Sequence, residues 1–282
     1  MFEIGGVHVV LLDLTCMVLA ALPFAVLTPR HNPFKRGFFC SDDSIRYPFR
    51  EDTISYQLLA GIMVPLTVLV IVSGECLSIY LKPIKAKQSF ANSYGPCLYK
   101  AVSTFLFGAA VSQSLTDIAK YTVGRLRPHF LDVCKPQWNT VDCKSGGYIE
   151  SFTCTGDKVM VNESRLSFYS GHSSFSMYCM VFLALYLQAR LQMEWSRLLR
   201  PTVQFFLIAS SLYVGLSRIS DYKHHWSDVV VGFLQGAVVA VLIVFSVADF
   251  FRRPAGIEEE QEISHTSLQD TASNGNHYGS TD

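Results

Sequence analysis

Charge is scarce in this chain. Only 16% of its 282 residues are Asp, Glu, Lys or Arg, and 23 basic residues cancel 23 acidic ones. A net charge of zero leaves no overall field to attract a polyanion, which argues against nucleic acid as a partner. Internal repeats and low-complexity blocks are missing. So are a G-x-S-x-G elbow and the carboxylate-rich clusters that usually hold a phosphatase's metals. The N-terminus lacks a basic n-region and a clear small-x-small cleavage site, so its first apolar run reads as a retained span, not a signal peptide.

Apolar residues are abundant instead, at half of the chain with 13% aromatic, and they cluster. A transmembrane helix needs roughly 20 mostly apolar residues to cross the hydrocarbon layer. Six runs approach that length, at about 7–27, 54–80, 101–119, 173–190, 202–217 and 229–251. Any one could be a buried helix of a soluble protein, but six leave too little polar sequence to coat a globule. The expected fold is all-α: a polytopic membrane protein of six transmembrane helices forming one domain over 1–251. Beyond it, 252–282 is acidic and then rich in Ser, Thr, Asn and Gly, with little to bury, and reads as a disordered cytosolic tail.

Six spans place both termini on one side. A bare count of Lys and Arg in the loops favours the opposite side as cytosolic, yet several of those cations belong to the constellation below. Two other signals carry more weight. Asn162-Glu163-Ser164 is a glycosylation sequon, usable only on a lumenal or extracellular face. Cys40, Cys134, Cys143 and Cys154 all fall in the far-side loops, where an oxidising compartment could pair them in any of three ways. Cys16, Cys76, Cys97 and Cys179 lie in or beside spans and read as small packing residues. Asp13, Glu75 and Asp249 read as interhelical or interfacial groups toward the cytosolic side.

Three polar segments then share the far surface: KYTVGRLRPHF at 120–130, FYSGHSSFSMY at 168–178 and SRISDYKHHWSD at 217–228. Lys120 and Arg127 are nearly two helical turns apart and share a face if the third helix extends that far, with Pro128 marking its end. Ser170 is a natural N-cap, Gly171 allows close backbone approach, and the helix behind them would present unpaired N–H groups to an anion. His224 and Asp228 stand four apart, so on the first turns of the sixth helix Asp228 could take the Nδ1 proton and leave Nε2 free. His225 would point away as a bystander.

A phosphate monoester would use all of these groups. Its transition state needs three equatorial oxygens held and neutralised, which Lys120, Arg127, Arg218, Ser170 and the 171–172 backbone could do. His224 would attack phosphorus to form a phosphohistidine, oriented by Asp228. His172 would protonate the leaving alkoxide and then activate water. A metal site built on His172, His224, His225 and Asp228 would be dominated by imidazole. A triad of Ser170, His224 and Asp228 would leave three cations without a task.

In order and in spacing, the segments resemble the signature of the type 2 phosphatidic acid phosphatase superfamily: K-x6-RP, PSGH and SR-x5-H-x3-D. Here they stand as Lys120 to Pro128, Ser170-Gly171-His172, and Ser217-Arg218 with His224 and Asp228, with Tyr169 replacing the Pro of the second motif. Residues 1–251 look like animal lipid phosphate phosphatases. The resemblance implies a helical-bundle catalytic core shared with vanadium haloperoxidases, which are soluble. It further implies a plasma-membrane ectoenzyme with no metal or other cofactor, the roles assigned above, and homo-oligomers. Its substrates would be lipid phosphates: phosphatidate, lysophosphatidate, sphingosine 1-phosphate and ceramide 1-phosphate. Relatives that have lost catalytic residues serve as non-catalytic scaffolds, whereas this chain keeps the set.

Overall fold

The computed structural model describes residues 2–80, 94–191, 196–248 and 250–251. Asp249 and the tail at 252–282 lie outside the described residues. Among the described residues six long helices dominate: α1 (Phe2–Arg30), α2 (Tyr56–Tyr80), α3 (Tyr94–Val123), α6 (Gly171–Arg190), α7 (Leu199–Ser220) and α8 (Trp226–Ile243), the last ending in a π turn at Val244–Ala248. Between α3 and α6 run two short helices, α4 (Phe130–Cys134) and α5 (Lys158–Glu163). The all-α expectation needs one amendment. Phe38–Phe39 (β1) and Tyr148–Ile149 (β2) pair antiparallel in a two-stranded ribbon.

Among the described residues, four helical stretches are long and apolar enough to cross a membrane: Val7–Arg30, Tyr56–Leu77, Leu199–Ser220 and Trp226–Ala248. The chain is a multi-pass membrane protein. The polar content of α3 and α6 has a physical reason. Ser112, Ser114, Thr116 and Asp117 on α3, and Ser173, Ser174 and Ser176 on α6, are all buried. Their neighbours are other helices, so they bond across interfaces: Thr116 Oγ1 lies 2.9 Å from Ser174 Oγ, and Ser176 Oγ 2.9 Å from Ser211 Oγ. Such bonds contribute about 0.6 kcal/mol each in a bilayer, but they fix rotation where apolar packing alone does not.

Helix α6 is the hub, packing against α2, α3, α7 and α8. Its Tyr178, Phe182, Leu183 and Tyr186 join Phe105, Ile71 and Ile243 in the main core. The α6–α8 contact is unusually close because α8 offers glycine there. A Cβ on Gly236 would sit 2.2 Å from the Ser174 carbonyl oxygen, and one on Gly232 would sit 2.7 Å from that of Ser170. The small residues let the two backbones approach. The Ser170 N–H consequently reaches the Asp228 carbonyl at 3.1 Å.

Since successive long helices alternate in direction, the ends of α1, α3 and α7 lie with the starts of α2, α6 and α8. Over that end lies a layer built from 31–55 and 124–170. Disulfides Cys40–Cys143 and Cys134–Cys154 tie it together, resolving the three possible pairings. A small core of Phe38, Ile45, Leu126, Phe130 and Val161 fills it. At the opposite end Glu75 is buried and accepts from Tyr186 and Arg190, both at 3.1 Å. Asp13 accepts from Tyr99 at 3.1 Å. Both acids are thus interhelical. Cys179 is buried in the core, whereas Cys16 and Cys76 face outward, contrary to their expected packing role. The side chain of Cys97 lies outside the described residues.

Gly236→Ala forces a methyl group into a backbone oxygen that cannot rotate away. It is expected to destabilise the protein by about 1–3 kcal/mol, the usual range for overpacking, measured as a lower unfolding midpoint in detergent. Gly61→Ala, where nothing stands within 4 Å of the new carbon, should leave the midpoint unchanged or raise it.

Candidate active site

The first segment departs from its expected course. α3 stops at Val123 because Gly124 adopts φ +58°, with its N–H bonded to the Lys120 carbonyl at 3.1 Å. This is a glycine helix stop. Lys120 therefore lies in the last turn of α3, but Arg127 is beyond it and not on a shared helical face. Arg127 is placed by pairing with a distant stretch instead: its N–H donates to Ser164 O at 2.8 Å, and the Ser167 N–H donates to Arg125 O at 3.0 Å. The 164–167 strip is thereby laid along 125–127.

Ser170 caps α6 as expected, its hydroxyl accepting from the Ser173 N–H at 3.4 Å and the Ser173 hydroxyl at 2.9 Å. Gly171 permits a close approach: a Cβ there would be 3.1 Å from Lys120 Nζ. The Lys120 ammonium thus rests over the start of α6. His172 is buried, with Nε2 3.0 Å from the Ile54 carbonyl oxygen. A carbonyl can only accept, so Nε2 carries the proton, and in the neutral ring Nδ1 is the free base.

The third segment corrects the sequence expectation at its centre. α8 begins at Trp226 with His225 as N-cap, so His224 precedes the helix and the four-residue spacing does not align it with Asp228 on one face. Nδ1 of His224 lies 2.7 Å from the Ser167 carbonyl and 3.8 Å from Asp228 Oδ2. The backbone carbonyl, not the carboxylate, takes the Nδ1 proton. Nε2 is still the unprotonated nitrogen, because Nδ1 is committed.

Asp228 stands behind this arrangement, fully buried. It accepts from the Ser167 hydroxyl at 2.6 Å and from Arg125 Nη1 at 2.6 Å. The His225 backbone N–H donates to it at 3.1 Å, and the His225 ring lies 3.3 Å away. His225 is therefore no bystander. It helps hold the carboxylate that holds Ser167, which in turn holds His224.

Arg218, 2% exposed, donates through Nη1 to Ile54 O at 3.3 Å and through Nη2 to Asp52 Oδ1 at 2.7 Å. Arg127 Nη1 stands 3.9 Å from Glu163 Oε2. The Nε atoms of both Arg127 and Arg218 are buried without an acceptor among the described residues. A stranded buried donor costs about 1–3 kcal/mol, and two on neighbouring guanidiniums fit an oxyanion as their intended partner.

The named groups act on one another electrostatically. Burial, then Arg218, His224 and Lys120, push His172 down to about 2, with Asp52 opposing; burial, then Arg127 and Arg218, lower Lys120. Burial pushes His224 down to about 3; Asp228 opposes this only in part, while Arg127 and Lys120 reinforce it. The ring is neutral at physiological pH, as a nucleophile requires.

Arg125, Ser167, Asp52, Glu163 and Lys223 join the site without a role that the sequence predicts. Arg125 and Lys223 lay inside the quoted polar segments, where clustering of charge was the available signal. Asp52 and Ser167 gave no local sign, since their partners are 166 and 57 positions away. Asn162, on α5, donates its side-chain amide to the His31 carbonyl at 3.0 Å.

A family model described as the PAP2 superfamily matches residues 101–252, from α3 to just past the π turn. The chain is 58% identical to phospholipid phosphatase 1 of Rattus norvegicus over 271 residues, 96% of each chain. It is 57% identical to phospholipid phosphatase 2 of Bos taurus over 277 residues, again 96% of each. Phospholipid phosphatase 2 of Homo sapiens is 56% identical over 277 residues with the same coverage. No solved structure matches.

Arg125→Met strands the Asp228 carboxylate in a buried position. The expected loss of stability is roughly 3 kcal/mol, the low end for an orphaned buried charge because the Arg125 side chain is 32% exposed. Arg125→Lys keeps the charge and should recover at least half of that loss in the same denaturation assay.

Proposed function

The chain belongs to the PAP2 superfamily, and from that premise we propose that it is a lipid phosphate phosphatase whose reaction centre is His224, His172 and the surrounding cations. The observation that carries this reading is geometric: His224 has Nδ1 committed to the Ser167 carbonyl, beside two buried arginines whose Nε donors have no acceptor among the described residues. The relatives' names supply the substrate class, since phospholipid phosphatases act on phospholipid phosphate.

Arg127, Arg218 and Lys120 hold the phosphoryl oxygens, with the Gly171 and His172 N–H groups at the start of α6 and the Ser170 cap beside them. His224 Nε2 attacks phosphorus in line. The P–O ester bond breaks as the P–N bond forms, and the alkoxide takes a proton from His172. His172 acts through Nδ1 because Nε2 is bonded to Ile54 O. For this step it must be an imidazolium; in the free site burial and Arg218 hold the ring neutral, and the negative charge of an incoming dianion works against them to favour the protonated form. The neutral ring then accepts a proton from the water that splits the phosphohistidine, restoring His224 and releasing inorganic phosphate. Asp228 acts as a positioning residue through Ser167 and contributes negative charge as His224 becomes cationic. No cofactor enters this scheme.

Six spans, with both termini cytosolic, complete the proposal. All long-helix ends that bear site residues fall at one end of the bundle, under a layer joined by two disulfides. Disulfides belong to an oxidising compartment, which supports an extracellular or lumenal site and a glycan on Asn162. The substrates are phosphatidate, lysophosphatidate, sphingosine 1-phosphate and ceramide 1-phosphate. They reach the site from the outer leaflet of the plasma membrane, where the protein forms homo-oligomers and attenuates lipid signals.

His224→Ala and His172→Ala should remain folded and carry the Asn162 glycan yet release phosphate from lysophosphatidate at least about 10³-fold more slowly. Quenching wild type during turnover should trap an acid-labile phosphoenzyme absent from His224→Ala. Normal turnover by both variants would refute the mechanism. Activity should survive excess EDTA, and vanadate should compete with substrate. Loss of activity in EDTA that a divalent ion restores would instead assign the chemistry to a metal.

A further inference from the structure

The guanidinium of Arg218 has two faces of use. On one side Nη1 is spent on the protein, with Ile54 O at 3.3 Å and Asp221 Oδ2 at 3.4 Å. The opposite edge, Nε with Nη2, is the side-on fork with which arginine grips two oxygens of one anion. Nε is buried and has no acceptor among the described residues. Nη2 is occupied by Asp52 Oδ1 at 2.7 Å. One prong of the fork is open and the other is held by a carboxylate of the protein itself.

Asp52 also has somewhere to go. The same Oδ1 lies 3.4 Å from Lys223 Nζ, and the Lys223 ammonium is fixed by lying 3.9 Å over the Phe49 ring. The backbone beside Asp52 is pinned, because the Thr53 N–H and hydroxyl donate to Asp221 at 2.9 and 2.7 Å. Side-chain rotation alone would therefore move the carboxylate, and with its side chain 35% exposed it has room to turn. Asp52 also acts on the charge of His172, so it belongs to the same pocket as the histidine. It lies outside the stretch 101–252 that carries the family match.

We propose that Asp52 is a built-in competitor for the phosphate subsite. It holds Nη2 of Arg218 between turnovers, yields it to an incoming phosphate by turning onto Lys223, and retakes it as inorganic phosphate departs. A dianionic monoester displaces a monoanionic carboxylate more readily than a monoanionic diester does, because it is attracted more strongly to the same cations. Asp52 thereby lowers affinity for the product and favours phosphate monoesters. This inference rests on the reading of Arg218 as a phosphate ligand given under Proposed function.

The test uses the purified full-length chain in detergent micelles, with inorganic phosphate as the inhibitor and the lipid product of a fluorescent lysophosphatidate as the readout. Asp52→Asn keeps the shape and one acceptor oxygen but removes the charge. Its Ki for inorganic phosphate should fall about tenfold, the scale of one unit charge removed within a few ångströms. KM should fall with it, and kcat should drop as product leaves more slowly. Asp52→Glu, which retains the charge, should stay within about threefold of wild type, as a merely shape-dependent role would not allow. If Asp52→Asn fails to fold, Asp52→Ser carries the same expectation. A Ki that is unchanged or higher in a folded, active variant overturns the proposal. A wild type that neither releases phosphate nor binds vanadate would sink the phosphatase reading itself, which is a different result.

Discussion

The close crossing of α6 and α8 is the constraint on which the site depends. Where Gly232 and Gly236 let α8 approach the Ser170 and Ser174 carbonyls, the Ser170 N–H meets the Asp228 carbonyl. That contact sets the start of α6, with its cap and His172, at a fixed distance from the turn that carries His224. In a bilayer the lipid tails are as apolar as any helix face, so burial of leucine does little to choose one packing over another. Backbone proximity and a few hydroxyl bonds between α3, α6 and α7 decide it instead.

On this rigid platform the extramembrane layer performs the chemical tuning. Three buried histidines among the described residues share one device. His224 donates to Ser167 O, His172 to Ile54 O and His129 to Tyr222 O, at 2.7, 3.0 and 2.8 Å. Each acceptor is a backbone carbonyl, which has no protonation state of its own, so the tautomer is fixed at any pH at which the loops hold. Three carboxylates offset the cations: Asp228 beside Arg125, Asp52 beside Arg218 and Lys223, Glu163 beside Arg127. Positive charge gathered in a partly dry pocket would otherwise repel itself, and the two arginine Nε atoms still without acceptors are what an anion can claim.

The two disulfides and the small core around Phe38 and Phe130 explain how irregular segments hold such positions. Loop 47–54 presses on the turn before His224. Tyr47 stacks on Tyr222 at 4.5 Å between ring centroids, and Arg50 lies 4.8 Å over the same ring. That clamp brings Ile54 to His172 and Asp52 to Arg218. The site is therefore made as much by the layer above the helices as by their ends.

Much of this was readable in the chain. Long apolar runs mark the helices because the hydrocarbon thickness demands their length, and the Ser170 cap follows from its own side-chain chemistry. The boundaries were read less well. Helix periodicity continues in the sequence past Gly124 to Arg127 and back from Trp226 to His224, but in both places the backbone has left the helix. Local spacing thus paired His224 with Asp228, whereas the nearer acceptor was a carbonyl laid alongside by strand-like pairing of 125–127 with 164–167. By itself the sequence determined that the chain crosses a membrane as helices and that three polar segments stand at their ends, since hydropathy, capping and spacing are local properties. Only the tertiary structure decided which acceptor holds each histidine, which cysteines join and that Asp52 shares Arg218. Those contacts join positions as much as 166 residues apart, and no local energy term encodes them.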